Sequence, residues 1–177
     1  GIYLYNRQND RFEEKNQEYN IPGDMVGSIE EDKNGNLWMT SSEVNHAVLV
    51  LDKAGAWHRL DIEQLRGVYT INDILITSTN DKWIYVPRNT PKLVMIPNSE
   101  SLDEVSSYEF TTLIDTDGKE LTPSNYTCVA EDKDGYIWVG TNRGAVYFTK
   151  PRISSAEDKA ATRCTRVKYT NEETGNL

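Results

Sequence analysis

The octapeptide EDKNGNLW at Glu31–Trp38 returns as EDKDGYIW at Glu131–Trp138, one hundred residues later in a chain without low-complexity sequence. A phrase repeated at that distance is either a site used twice or the local code of a structural unit that the chain builds more than once. The flanks decide for the unit. Each copy sits between short apolar runs, GSIEE and LWMT in the first and CVAE and YIWVG in the second. Asn34-Gly35 and Asp134-Gly135 supply the strongest short hairpin signals, because glycine takes a positive φ without a Cβ clash. Lys53-Ala54-Gly55 is a weaker signal of the same kind.

Period-two alternation and short apolar runs fill the sequence, whereas no apolar series at i, i+3, i+4, i+7 is sustained. GIYLY, VGSIEE, LWMT, AVLVL and WHRL each combine β-branched or aromatic residues with Asn, Asp, Gly or Lys at their ends. The chain is therefore expected to be all-β. A third, degraded copy lies between the two phrases at Asp73–Val86, DILITSTNDKWIYV, with Asn80 in place of the turn glycine. Asparagine tolerates the left-handed region better than most residues, so the turn survives the exchange. Trp38, Trp83 and Trp138 are then spaced by 45 and 55 residues. A period of about 40 to 50 residues with four short strands and one tryptophan per unit points to β-propeller blades of four-stranded antiparallel sheet. The expected division is 1–20 as closing strands of a preceding blade, 21–66 and 67–112 as one blade each, and 113–177 as a blade with the start of a further element.

The stretch CVAEDKDGYIWVGTNRGAVYF, Cys128–Phe148, resembles the two-component-regulator propeller repeat: an apolar strand, Asp132, Gly135, Trp138, Gly140-Thr141, then Gly144 and an aromatic strand. In the first copy Thr40 and Ser41 replace the Gly-Thr pair, and the middle copy keeps little beyond KWI. The resemblance implies a partial propeller from a larger, secreted or periplasmic protein of a Gram-negative bacterium, with a binding or scaffolding role. Two settings follow from it. One is a PorZ-like component of the type IX secretion attachment complex, acting through protein partners, a glycan or lipopolysaccharide, and the remaining blades of its own chain. The other is the carbohydrate-sensing region of a hybrid two-component histidine kinase. The divergent middle copy, the long excursion before the strong copy and the tail TRCTRVKY resemble the first setting more. A propeller of a polysaccharide-active enzyme is the third.

The remaining residues give catalysis little to work with. DKNGN and DKDGY alternate oxygen-bearing side chains, but an EF-hand register from Asp32 puts its obligatory glycine on Leu37, and Asp132 with Asp134 falls short of the six to eight oxygens calcium takes. Asp32 and Asp132 read instead as turn residues that accept local backbone N–H groups. No nucleophile elbow, phosphate-cradling loop or zinc motif occurs, so neither an enzyme nor a cofactor is expected. Trp38, Trp83 and Trp138 are expected between sheets. Trp57, outside the repeat register, and the two histidines His46 and His58 are the residues left for a ligand. Cys128 and Cys164 are expected as ordinary half-buried thiols. With 28 acidic against 19 basic side chains, and no basic cluster, nucleic acid and anionic membrane are poor partners. No apolar run reaches the length needed to span a bilayer, so direct membrane insertion is not expected either.

Overall fold

The computed structural model describes residues 1–17, 25–42 and 45–168. It begins with a hairpin of β1 (Tyr3–Asn6) and β2 (Arg11–Glu14). The first four-stranded sheet follows, built from β3 (Val26–Glu31), β4 (Leu37–Ser41), β5 (Val48–Leu51) and β6 (Trp57–Leu60). The second holds β7 (Asp73–Ile76), β8 (Lys82–Val86), β9 (Lys92–Ile96) and β10 (Tyr108–Phe110). After a short hairpin of β11 (Leu113–Ile114) and β12 (Glu120–Leu121), the third sheet takes β13 (Tyr126–Glu131), β14 (Tyr136–Thr141) and β15 (Gly144–Thr149). A one-and-a-half-turn helix, α1 (Ala156–Ala161), then leads to its outer strand β16 (Thr165–Arg166). In all three sheets spatial neighbours are sequence neighbours, the antiparallel meander of a propeller blade.

Alternation along each inner strand supplies two apolar faces, and the sheets stack on them in chain order. Trp38, Val48 and Val50 of the first sheet meet Ile74, Ile84, Val94 and Ile96 of the second. On the far side of the second sheet, Trp83, Tyr85, Leu93 and Met95 meet Ile137, Val139, Val146 and Phe148 of the third. The outer face of the first sheet, with Met39 and Leu49, is covered in part by Ile2 of the N-terminal hairpin. The fold is an all-β, partial propeller.

The hundred-residue offset holds at the level of hydrogen-bond register. Glu30 pairs with Trp38 and Glu31 with Leu37, as Ala130 pairs with Trp138 and Glu131 with Ile137, and both ladders slip at the same place, between Val26 and Ser28 and between Tyr126 and Cys128. The bulge also explains why the first copy lacks the repeat's Gly-Thr. A Cβ on Gly140 would lie 2.4 Å from Thr127 Oγ1, and a Cβ on Gly27 would lie 3.0 Å from Thr40 Oγ1 and 2.5 Å from the Ile71 carbonyl. Each copy has room for one threonine and one glycine across this pair, and the two copies place them oppositely.

Five hairpin loops share one geometry. The third loop residue has positive φ in each: Gly35 (81°), Gly55 (89°), Asn80 (67°), Gly118 (77°) and Gly135 (79°). Its N–H returns to the carbonyl three residues earlier, on Asp32, Asp52, Thr77, Asp115 and Asp132 respectively. The loop at Asp115–Gly118 escaped the sequence reading, although DTDG carries the same signal. Gly135→Val is expected to lower stability by about 1–2 kcal/mol, since a β-branched residue is strained at φ +79°. A shifted urea midpoint with unchanged slope checks it.

One short helix accompanies the all-β sheets: Ser155 caps α1 by accepting from Asp158 N at 3.1 Å, and Asp158 accepts back from Ser154 N at 3.0 Å. Two expectations need correction. Cys128 is exposed and Cys164 buried, so neither is half-buried. Trp138 is only half-buried, unlike Trp38 and Trp83, because its side of the third sheet has no facing sheet among the described residues. Residues 18–24 and 169–177, which hold the ends of three of the expected segments, lie outside the described residues.

Candidate functional site

The turn aspartates organise one end of the stack. Asp32 Oδ1 accepts from Asn34 N (2.8 Å) and Asn36 N (2.9 Å), and its Oδ2 accepts from Asn36 Nδ2 (3.0 Å) and Trp38 Nε1 (2.9 Å). Asp132 repeats this with Asp134 N (2.9 Å), Tyr136 N (3.0 Å) and Trp138 Nε1 (2.7 Å). Each carboxylate thus closes its own hairpin and fixes the indole six residues on. Burial works to raise the Asp32 carboxyl, but the donors of Asn36, Trp38 and Asn34 outweigh it and hold the group below the usual range. The Trp138 and Tyr136 N–H groups hold Asp132 down likewise. A carboxylate depressed in the fold stabilises it above the ordinary value of about 3.9 and loses that contribution as pH falls through the folded value. The urea midpoint is therefore expected to hold near about pH 5 and to fall by about pH 2.5.

Where the first two sheets meet, Lys82 at the start of β8 reaches across. Its Nζ lies 4.4 Å from the centre of the Trp38 ring and 3.8 Å from Asp32 Oδ2, with both charged side chains buried. Burial lowers the Lys82 ammonium and the Asp32 charge opposes that, leaving it below the ordinary lysine value. A buried charge of this kind is tolerable only with its partner in place.

Where the second and third sheets meet, both partners are gone. Thr77 stands where Asp32 does, Ile137 where Lys82 does, and a cleft of about 740 Å³ opens beside Trp83. Glu131 on its rim is engaged by Ser78 N and Oγ, each at 2.5 Å, and Asp81 by Asn98 N at 2.8 Å and Thr79 Oγ1 at 2.6 Å. Lys133, Lys150 and Arg152 also line it and make no ion pair among the described residues. Trp83 backs the cleft from within the core at 1% exposure, and the polar rim, with its fixed carboxylates and three cations, suits binding of a polar molecule. The cleft was invisible in sequence because it arises from two substitutions 60 residues apart that only the stacking brings together.

The residues singled out for a ligand lie elsewhere and do not converge. His46 is exposed in the loop before β5. His58 Nε2 is 3.1 Å from Asp52 Oδ2, and its Nδ1 is 3.5 Å from Asp103 Oδ1, so it ties the outer strand β6 to the Asp52 turn and to the segment after β9. Trp57 packs half-buried beside Met39 and Leu49. Gly144 (φ +95°) closes the β14–β15 turn, where Thr141 Oγ1 donates to its carbonyl at 2.7 Å. The open face of the third sheet gathers aromatics: Trp138 and Tyr147 have ring centres 4.9 Å apart, and Tyr136 stacks on Tyr147 at 5.6 Å and 5°.

Comparison with known proteins gives three findings. Residues 20–43 and 120–143 match the two component regulator propeller family. PorZ of Porphyromonas gingivalis, described as an essential bacterial surface component of the type-IX secretion system, superposes over 82% of this chain and 21% of its own, with a TM-score of 0.69 at 18% identity. The extracellular domain of BT3049 from B. thetaiotaomicron, assigned as a hybrid two component system, superposes over 82% of this chain and 17% of its own, with a TM-score of 0.54 at 18% identity. The chain spans about a fifth of the length of these solved chains, and at that identity the likeness establishes the fold alone. No curated protein sequence matches.

Proposed function

We propose that this chain, which carries two-component regulator propeller repeats, is a non-catalytic binding and scaffolding segment of a periplasmic or surface protein of a Gram-negative bacterium, similar in role to the PorZ component of type IX secretion. The observation that carries the reading is the closer superposition on PorZ, 0.69 against 0.54 at equal identity and equal coverage. Its partners are other proteins and a glycan or lipopolysaccharide, with the cleft beside Trp83 as the binding site for the latter. Two of the three carboxylates that line the cleft, Glu131 and Asp81, are committed to the protein's own N–H and O–H donors, which supports binding without turnover. In-frame deletion of these residues from the bacterial gene tests the proposal. Release of normally surface-attached secreted proteins into the medium is the expected result. An unchanged surface proteome together with lost transcriptional induction by an oligosaccharide would overturn it in favour of the sensor reading.

A further inference from the structure

The loop residue before the positive-φ position varies across the five hairpins: Asn34, Ala54, Thr79, Asp117 and Asp134. In four of them its backbone N–H is bound by the loop's own aspartate, at 2.8 Å for Asn34, 2.9 Å for Ala54 and Asp134, and 3.0 Å for Asp117. The side chain is not needed for that closure. In the first hairpin the Asn34 carboxamide is exposed and makes no hydrogen bond among the described residues. Asn34 is also the one asparagine of the sequence followed by glycine. That pairing is chemically labile, because a glycine N–H has no Cβ beside it to hinder attack on the neighbouring carboxamide. The folded turn opposes the attack. Gly35 N–H donates to the Asp32 carbonyl at 3.0 Å, and Asp32 N donates to the Asn36 carbonyl at 2.8 Å. Asp32 Oδ1 holds Asn34 N and Asn36 N from the other side, at 2.8 Å and 2.9 Å. The backbone is thus fixed on both sides of the Asn34–Gly35 bond, and the carboxylate beside it disfavours the negative charge that Gly35 N must take up to react.

We propose that Asn34 is a site of spontaneous deamidation that the Asp32 turn protects in the folded chain, and that its reaction irreversibly marks molecules whose first hairpin has opened. With the turn open, Gly35 N gives its proton to hydroxide and attacks Asn34 Cγ. The N–Cγ bond forms, the Cγ–Nδ2 bond breaks, and Nδ2 leaves as ammonia after taking a proton from water, which regenerates the hydroxide. Water then opens the cyclic imide. Cleavage of the new N–Cγ bond leaves an aspartate in the ordinary backbone. Cleavage of the older bond, from Gly35 N to the Asn34 carbonyl carbon, leaves isoaspartate with Cβ inserted into the main chain. Water is consumed, ammonia is released, and nothing is oxidised or reduced. The two products differ in whether the turn can close again. An aspartate at this place already closes the hairpin of the third sheet, where Asp134 N is bound by Asp132 at 2.9 Å. Isoaspartate adds a methylene to a loop whose length is set by the paired bonds of Asp32 with Gly35 and Asn36. A loop that fails to close also withdraws Asp32 from Lys82 and from the Trp38 indole. This inference is independent of whether the protein serves secretion or sensing.

Peptide mapping by mass spectrometry tests it, on the 177-residue chain aged at mildly alkaline pH with and without denaturing urea. Enzymatic methylation counts the isoaspartate. In urea, Asn34 is expected to deamidate faster than every other asparagine. Without urea its rate is expected to fall at least about tenfold, since only the opened fraction reacts. After the urea is removed, molecules with aspartate at position 34 should recover the wild-type urea midpoint, and those with isoaspartate should unfold at lower urea. The variant Asn34→Asp, made directly, should match the wild-type midpoint, which separates the added charge from the added methylene. Equal rates with and without urea would overturn protection by the turn. An Asn34 no faster than the other asparagines in urea would overturn the site. A wild-type midpoint for the isoaspartyl molecules would overturn the marking, and an Asn34→Asp variant as weak as those molecules would overturn the part played by the methylene.

Discussion

Asp32→Ala is expected to destabilise the chain by about 3–5 kcal/mol, among the largest effects a single side chain can have here. The substitution strands Lys82 as a buried charge, frees the Trp38 indole N–H and removes two backbone bonds from the hairpin at once. The chain itself supplies the control. At the next junction Thr77 and Ile137 hold the same two places without charge, so Asp32→Thr combined with Lys82→Ile should recover most of the loss. Denaturant midpoints of the wild type, both single variants and the double variant close the cycle, with a coupling energy of opposite sign to the single losses. Additive single effects would show that Lys82 draws its stability from contacts other than Asp32 and Trp38.

Trp83→Ala should cost about 3–5 kcal/mol, a large part of the 5–15 kcal/mol by which a domain is stable. Its ring is 1% exposed and stacks at 5.9 Å on Phe110 and 5.6 Å on Phe148, so its loss opens a void between two sheets and strips an edge from both phenylalanines. Trp138→Ala, at the same repeat position, should cost only about 1–2 kcal/mol in this chain because the residue is half-exposed. Near-equal midpoints for the two variants would contradict the assignment of Trp83 to a closed junction and of Trp138 to an open one.

The strands and turns were legible in sequence because their causes are local. A period of two, a turn aspartate and a residue tolerant of positive φ sit within eight residues of one another, and the first sheet runs from Val26 to Leu60 as the apolar runs suggest. The helix α1 was missed although Ser155 and Asp158 carry a capping signal, because six residues are too few to display a helical period. What the sequence could not show is which faces meet. The repeat makes Trp38, Trp83 and Trp138 equivalent in orientation, but whether each is covered depends on the neighbouring sheet. The pairing of Lys82 with Asp32 and the cleft at Thr77 and Ile137 depend on it too, across 50 and 60 residues of chain. His58 looked available for a ligand because Asp103, which approaches it, is 45 residues away.

The reciprocal glycine and threonine across the two bulges bear on how such a gene can change. Phrases as alike as EDKNGNLW and EDKDGYIW are natural points for unequal recombination between repeats, with the breakpoint falling in the shared turn. A crossover there joins the incoming strand of one copy to the outgoing strand of the other. One product would hold Gly27 opposite Gly140, losing the methyl and hydroxyl that fill the bulge. The other would hold Thr127 opposite Thr40, two side chains where the backbone leaves room for one. The most similar segments of the chain are thus among the least exchangeable, and a repeat can be duplicated safely only when both sides of its bulge travel together.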